Sequence, residues 1–301
     1  MRWLSLLWLG VPLLGVGELA ASRWASGRAP TADEWRALRA EVARRKRPGE
    51  PIAVAPAWAE PLARHALGDE LMPLAEVARA DVTSSPRVLE ISALGARAPE
   101  VAGWRAASEE PVGRFVLRVL ENPSPIPVRL DFVSELGPDR VSVSDGGRAC
   151  AWTARGARAA GGLHGPVAYP AERFECGAAP FLVGVTVIED QAYRPRRCVF
   201  AHATPSRDLR ITYRGVPLGA TIRGHAGLSW FLYRDGAGTP VELEVLVGGR
   251  AIGKHVHVDT AGWAPFELPL GPDAGKTADV TFVVRSESPR ERQFCFHAES
   301  R

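Results

Sequence analysis

The first third of the chain contains apolar residues at helical spacing. Trp35, Leu38 and Val42 recur every three to four positions, which predicts a helix with one buried face. Thr31 and Glu34 have the spacing of a capping box, and a Pro-Gly pair follows the last apolar position. We therefore predict a helix that begins after Thr31 and ends before this pair.

Two short apolar runs, at 51–56 and 87–92, come next and predict strands. The segments AWAEPLARHALGD and LAEVARA between them have helical patterns. Because strands alternate with helices here, we predict a small α/β unit over about 31–110.

From about Gly113 onward, apolar and polar residues alternate in short runs. Runs such as FVLRVLE, VELEVLV and GKHVHVD are rich in β-branched and aromatic residues, and Gly, Asp and Pro separate them. We predict an all-β, jelly-roll-like sandwich over 113–301, with a division into two parts near 197 left open. The expected fold class is α+β: a leader or anchor helix, the small α/β unit and this large sandwich.

The N-terminus has the pattern of an export sequence. One arginine precedes an apolar run of about 15 residues, and the small residues Ala20, Ala21 and Ser22 follow it. A cleaved signal peptide at 1–22 and an uncleaved anchor in the inner membrane are both compatible with this length. Either alternative predicts an extracytoplasmic protein, periplasmic or secreted.

Composition excludes two broad classes. The chain has 301 residues, 24% of them charged, and a formal net charge of +3, which does not indicate disorder. Basic residues do not form runs with interleaved aromatics, so we expect no nucleic-acid partner.

Four cysteines are present, Cys150, Cys176, Cys198 and Cys295. An even number in an exported chain favours two disulfides, and four cysteines allow three pairings. We favour Cys198 with Cys295, since the first and last strands of a jelly roll can be neighbours, and Cys150 with Cys176 around an irregular loop. Unpaired structural thiols are the alternative.

Two loop-like motifs do not indicate chemistry. GPDAGKT, at 271–277, is one residue shorter than a phosphate-binding loop and lies between two strands, so we predict a hairpin turn. Glu189 and Asp190 are adjacent and point to opposite faces of a strand, so they do not form a ready acid/base pair.

HVHVDTAGW, at 255–263, is the strongest candidate for ligand binding. His255, His257 and Asp259 share one face of a strand, and Trp263 follows in the loop. Exposed tryptophan stacks on sugar rings while polar neighbours bind hydroxyl groups. The alternative is a half-exposed strand that ends at a core tryptophan.

A second pair of candidate ligand residues is Trp230 and Arg223. No metal-ligand spacing and no catalytic residue are predicted.

The segment LRAEVARRKRPGEPIAVAPAWAEPLARHALGD resembles the soluble extracytoplasmic region of bacterial glycosyltransferases of the dolichyl-phosphate-mannose type, over about 31–110. Pro56 and Trp58 match a Pro-x-aromatic loop of those enzymes. The resemblance implies a place beside glycan assembly. This chain lacks the multi-span membrane part with the catalytic acidic loop, so no catalytic residue is carried over.

The segment GTPVELEVLVGGRAIGKHVHVDTAGWAPFELPL is similar to galactose-binding-like jelly rolls, in which a Gly-Trp loop precedes the next strand; the similarity extends over about 198–298. Such domains bind glycans and sometimes calcium, and many are structural.

The combined expectation is an exported or membrane-anchored, non-catalytic envelope protein that binds a glycan or a cell-envelope partner. A glycosyltransferase-related or glycan-hydrolysing enzyme that uses Asp190 or Asp259 is the first alternative. A purely structural envelope protein is the second.

Overall fold

A computed structural model describes residues 14–24, 27–156, 167–178, 180–229, 238–258, 261–289 and 292–301. The chain divides into two compact units. The smaller comprises residues up to Glu76 together with Ser85–Pro125, and the larger comprises Val77–Ser84 together with Ile126–Arg301.

The smaller unit begins with the predicted helix, α1 (Ala32–Arg45). The Thr31 hydroxyl accepts a hydrogen bond from the Glu34 backbone, and the Glu34 carboxylate accepts one from the Thr31 backbone at 2.7 Å. The capping box is therefore confirmed, and the three predicted apolar positions are buried. Two shorter helices follow, α2 (Glu60–Leu67) and α3 (Leu74–Val77), and the last residue of α3 is the first that belongs to the larger unit.

Four strands of the smaller unit form one sheet in the order β1-β2-β4-β3. β1 (Ile52–Ala55) runs parallel to β2 (Arg87–Ala93), and both match predicted strands. β3 (Arg105–Val112) and β4 (Phe115–Glu121) complete the sheet. The segment FVLRVLE, predicted to belong to the sandwich, is β4 and pairs with both β2 and β3.

A buried carboxylate, that of Glu90 on β2, lies in this sheet. It accepts hydrogen bonds from the Arg118 guanidinium at 3.0 Å and from the Ala98 backbone at 2.7 Å. Arg97 forms a second ion pair with it at 3.0 Å. The Glu90 side chain is fully buried, so its charge is balanced inside the unit.

The larger unit is the predicted all-β sandwich, made of two sheets of eight and six strands in its described part. The eight-stranded sheet has the order β16-β13-β18-β11-β10-β9-β8, with β5 beside β18, and the six-stranded sheet has the order β15-β14-β17-β12-β6-β7. The strands are β5 (Leu130–Asp131), β6 (Val141–Asp145), β7 (Arg148–Ala149), β8 (Ala151–Thr153), β9 (Arg173–Glu175), β10 (Leu182–Glu189), β11 (Pro195–Ala201), β12 (Leu209–Pro217), β13 (Thr221–Leu228), β14 (Val241–Val247), β15 (Arg250–His257), β16 (Ala264–Pro269), β17 (Thr277–Arg285) and β18 (Phe294–Ser300).

One apolar core fills the space between the two sheets. Phe132, Tyr213 and Phe282 form its aromatic centre, with ring centroids 4.8 to 5.9 Å apart and edge-to-face geometry. The Tyr213 hydroxyl donates a hydrogen bond to the Phe132 carbonyl at 2.8 Å, so the one polar atom of this buried ring has a partner.

Gly224 allows β13 to approach β18 closely. A Cβ atom at this position would lie 1.9 Å from the carbonyl oxygen of His297 on β18. Every other residue type would force the two backbones apart, so the sheet requires glycine here.

Both predicted disulfides are present. Cys198 on β11 is bonded to Cys295 on β18, and these strands are neighbours. Cys150 is bonded to Cys176. Two disulfides are typical of an oxidising, extracytoplasmic compartment.

Two other sequence expectations bear on the described residues. The segment GPDAGKT contains a single helical turn and connects β16 with β17. Because these two strands belong to different sheets, the predicted hairpin turn is wrong, and the segment crosses from one sheet to the other. In the described part of the chain, no helix has the length and apolar character needed to span a membrane.

Candidate functional site

A cleft of about 620 Å³ lies at one end of the six-stranded sheet. Leu243 and Val245 of β14 lie in the core, so Glu242 and Glu244 project from the opposite, outer face. The cleft opens on this face and is lined by strand ends and by the connections next to them: Ser206, Arg207, Asp208, Thr239, Pro240, Glu242, Val256, Arg285, Ser286 and Glu287.

Arg285, at the end of β17, organises the cleft. Its Nε donates to Asp208 Oδ1 at 2.6 Å and a terminal nitrogen donates to Oδ2 at 3.2 Å, which is a bidentate ion pair. Its other terminal nitrogen donates to Glu242 at 3.2 Å and to Glu244 at 2.7 Å. Four hydrogen bonds thus hold one guanidinium between three carboxylates.

Hydroxyl groups line the same cleft. The Thr239 and Ser286 hydroxyls lie 3.1 Å apart and share a hydrogen bond. Thr239 Oγ1 also accepts a hydrogen bond from the Ser288 backbone at 3.0 Å. These contacts tie the β13–β14 connection to the segment after β17, so the polar groups are fixed before any ligand arrives.

The carboxylates of Asp208 and Glu242 remain ionised at neutral pH, because both have a lowered pKa. Hydrogen bonding to Arg285 lowers the pKa of Asp208. Hydrogen bonding to Lys254, with Nζ 2.8 Å from the carboxylate, lowers the pKa of Glu242. Glycoside hydrolysis requires one carboxyl group whose pKa is raised so that it can donate a proton, and these two are shifted in the opposite direction.

His255 and His257 share one face of β15, but this face points toward the space between the sheets. The His255 ring lies 5.6 Å from that of Phe266, and the His257 ring lies 6.1 Å from that of Phe294. His257 is fully buried, and burial lowers the pKa of His255. The alternate residue Val256 faces the cleft instead, so we do not include the two histidines in it.

Arg223 and His225 alternate with the core residues of β13 and lie on the outer face of the eight-stranded sheet, where Trp263 contacts His225. The Trp263 indole is parallel to the His225 ring, with centroids 6.1 Å apart, and the Arg196 guanidinium lies 5.8 Å from the indole. Trp263 also packs against the cluster that contains the Cys198–Cys295 disulfide. These contacts cover the indole, as expected of a packing residue.

A charged cluster surrounds Arg223 on this face. Arg223 lies 3.7 Å from Asp81, and the Arg301 guanidinium lies 3.1 Å from Asp81 and also contacts Glu299. Burial raises the pKa of Glu299 to about 7, and the nearby Arg301 opposes this rise without cancelling it. The cluster ties the segment Val77–Ser84 to the sheet.

Glu299→Gln is expected to change how stability depends on pH. The pKa of Glu299 is raised from 4.5 to about 7, so the folded state favours the protonated form. Its stabilising contribution is complete below about pH 4.5 and is lost as pH rises through about 7. As pH rises from about 4.5 to 8, the free energy of unfolding of the variant should therefore increase by on the order of 3 kcal/mol relative to that of the wild type.

Urea unfolding of both proteins across this range measures the difference. A difference that stays constant with pH would contradict the raised pKa of Glu299.

The remaining predicted positions have mixed outcomes. Trp230 and Asp259 lie outside the described residues.

Asp190 is buried and accepts hydrogen bonds from the Ala192 backbone at 2.8 Å, the Arg194 backbone at 3.0 Å and Arg196 Nε at 2.8 Å. Its carboxylate thus stabilises the β10–β11 turn, and Asp190 does not line the Arg285 cleft.

Asp208, Glu242 and Arg285 were missed by the sequence reasoning. The alternation in VELEVLV shows that Glu242 and Glu244 share a face, but only the strand order places Arg285 opposite Glu242. In the described part of the chain, no group of three or more His, Cys, Asp or Glu side chains could hold a metal ion.

No family model and no curated protein matches the chain. Similar solved structures include the CBM51-2 and INT domains of Clostridium perfringens ZmpB, with 10% identity over 39% of this chain and a TM-score of 0.28; this chain covers 24% of that one. CBM51 from Clostridium perfringens GH95 in complex with methyl-galactose has 13% identity over 38% of this chain and 80% of its own, with a TM-score of 0.29.

A CBM36 module in complex with calcium and xylotriose has 10% identity over 39% of this chain and 87% of its own, with a TM-score of 0.21. These similar structures are carbohydrate-binding modules. The comparisons do not support the resemblance to dolichyl-phosphate-mannose-type glycosyltransferases.

Proposed function

We propose that this chain is an extracytoplasmic, non-catalytic protein whose β-sandwich binds a neutral saccharide in the Arg285 cleft. The observation that carries the proposal is the cleft itself: a volume of about 620 Å³ lined by fixed hydroxyl and carboxylate groups. Small-molecule sites have volumes in this range and orient their ligands with a few placed polar groups.

The charge arrangement favours neutral sugars over acidic ones. Arg285 already donates four hydrogen bonds to Asp208, Glu242 and Glu244, so it has little capacity left for a ligand carboxylate. Arg207, the other arginine of the lining, forms an ion pair with Asp145 at 3.6 Å. The ionised carboxylates offer acceptor oxygens to the hydroxyl groups of a sugar. Pro240 and Val256 supply the apolar surface for a sugar ring.

The predicted contacts Trp230 and Asp259 are kept in the proposal. Both lie outside the described residues; in the sequence, Thr239 and Pro240 of the cleft lining follow Trp230, and Val256 of the lining precedes Asp259. We also propose that the protein acts beside glycan assembly in the cell envelope. This part of the proposal rests on the sequence resemblance of residues 31–110.

Glu242→Gln tests the proposal by isothermal titration calorimetry with a neutral oligosaccharide and the corresponding uronate. We expect binding of the neutral sugar, at least about tenfold weaker binding by the variant, and weaker binding of the uronate to the wild type. Glu135→Gln is the matched control, because Glu135 forms a similarly exposed ion pair with Arg140 at 2.8 Å and does not line the cleft.

Equal affinity of the two variants, or a preference for the uronate, would rule out the proposed mode of recognition.

A further inference from the structure

A second cleft, of about 460 Å³, lies where the eight-stranded sheet narrows. β9 pairs with β10 only over Leu182–Gly184, whereas β11 pairs with β10 as far as Glu189. The cleft lies beside the part of β10 that β9 leaves unpaired, where Val185 and Thr186 line it. Its lining residues are Leu136, Trp152, Ala154, Ala168, Tyr169, Pro170, Ala171, Glu172, Val185 and Thr186.

The walls of this second cleft are fixed by packing. Trp152 lies edge to face with Phe174, with centroids 4.8 Å apart, and Tyr169 lies 5.9 Å from the Phe200 ring. The Cys150–Cys176 disulfide anchors the chain two residues before Trp152.

Two contacts hold the segment 167–172 over β10. The Thr186 hydroxyl donates a hydrogen bond to the Ala168 carbonyl at 2.6 Å. Pro170 packs on Gly184, where a Cβ atom would lie only 2.6 Å from the proline ring. The aromatic side chains are therefore in place without a ligand.

The lining combines aromatic and aliphatic surface with one carboxylate. Eight of the ten lining residues carry apolar or aromatic side chains. Glu172 is exposed, and among the described residues no ion pair involves it. Its neighbour Arg173 donates hydrogen bonds to Glu175 and to the Pro170 carbonyl, at 2.8 and 2.7 Å, so Glu175, and not Glu172, balances the charge of this arginine.

Two side chains of the lining offer acceptor oxygens to a ligand. They are the Glu172 carboxylate and the Thr186 hydroxyl, whose proton is already donated to the Ala168 carbonyl. Burial raises the pKa of Tyr169, so its hydroxyl stays neutral and its ring keeps the electron-rich face that attracts cations.

We propose that this second cleft binds a small organic cation, an ammonium group carried on an apolar body. Aromatic side chains beside a carboxylate are the surroundings that recognise ammonium ligands in water. The proposal concerns a different site and a different ligand class from the saccharide cleft, and it stands independently of the proposed function.

Choline and its neutral carbon isostere, dimethylbutanol, test this proposal in an NMR titration of the whole chain. We expect choline to shift the indole resonance of Trp152 and the backbone resonance of Tyr169 saturably, with affinity at least about tenfold higher than that of the isostere. Glu172→Gln should weaken choline binding by about tenfold. Glu267→Gln removes the same charge from an exposed position on β16 and should leave the affinity unchanged.

Three results would each overturn the proposal: no saturable shift with choline, equal affinity for the isostere, or equal loss in the two variants. Shifts that fall on Thr239 and Val256 instead would place the cation in the saccharide cleft and also overturn it. Glu172 and Glu267 are both exposed, so we expect neither substitution to disturb the fold. Matching spectra of the two variants without ligand check this.

Discussion

Replacing Cys198 and Cys295 together by alanine should lower the free energy of unfolding of the larger unit by about 4 to 5 kcal/mol. The bond joins residues 97 positions apart. Without it the unfolded chain regains the conformational freedom of a very long loop, while the folded sheet keeps its β11–β18 pairing. Urea unfolding under non-reducing conditions measures the loss.

The second disulfide is the internal control. Cys150 and Cys176 are 26 positions apart, so loop entropy predicts that the Cys150→Ala/Cys176→Ala variant loses about 1 kcal/mol less. An equal or larger loss from this shorter loop would show that loop entropy does not govern the stabilisation.

Glu90→Ala should destabilise the smaller unit by about 3 to 5 kcal/mol. The substitution removes the acceptor of the Ala98 backbone N–H and the buried partner of Arg118, whose side chain is only 9% exposed. The Ala98 amide and Arg118 Nη1 then lack this buried acceptor and carry their desolvation cost, although Glu109 still binds the other two nitrogens of Arg118. The thermal or urea transition of the smaller unit reports the change.

Glu109→Ala is the matched control for Glu90. Glu109 also binds Arg118, at 2.8 Å, but its side chain is 52% exposed. An exposed partner contributes less than about 1 kcal/mol. If both variants lost the same stability, burial of Glu90 would not be the cause.

Local patterns were sufficient for the elements whose determinants are close in sequence. The capping box of α1 depends on Thr31 and Glu34, three positions apart. The pairing of Cys198 with Cys295 was predicted correctly but on a reason that does not hold: β11 lies beside β18, yet it is not the first strand of the sandwich, because β5 to β10 precede it.

Alternation alone did not determine which side of a strand faces solvent. His255 and His257 share a face, as the period of a strand requires, but β15 packs so that this face meets Phe266 and Phe294. The orientation of an edge strand depends on its partners in both sheets, and the sequence of β15 does not contain them.

The Arg285 cleft could not be derived from the sequence for a similar reason. Asp208, Glu242 and Arg285 are each separated by more than 30 positions. They meet because β12, β17 and β14 are adjacent in the six-stranded sheet, and strand order is a property of the whole fold.

The segment Val77–Ser84 determines how this chain can be dissected. It is preceded and followed by residues of the smaller unit, yet it belongs to the larger one, where Asp81 binds Arg301 and the Ala78 carbonyl accepts a hydrogen bond from the Arg197 backbone at 2.8 Å. No single cut separates the two units. A fragment that starts at Ile126 lacks a piece of its own surface, and a soluble sandwich requires that piece to be supplied as a fused or added peptide.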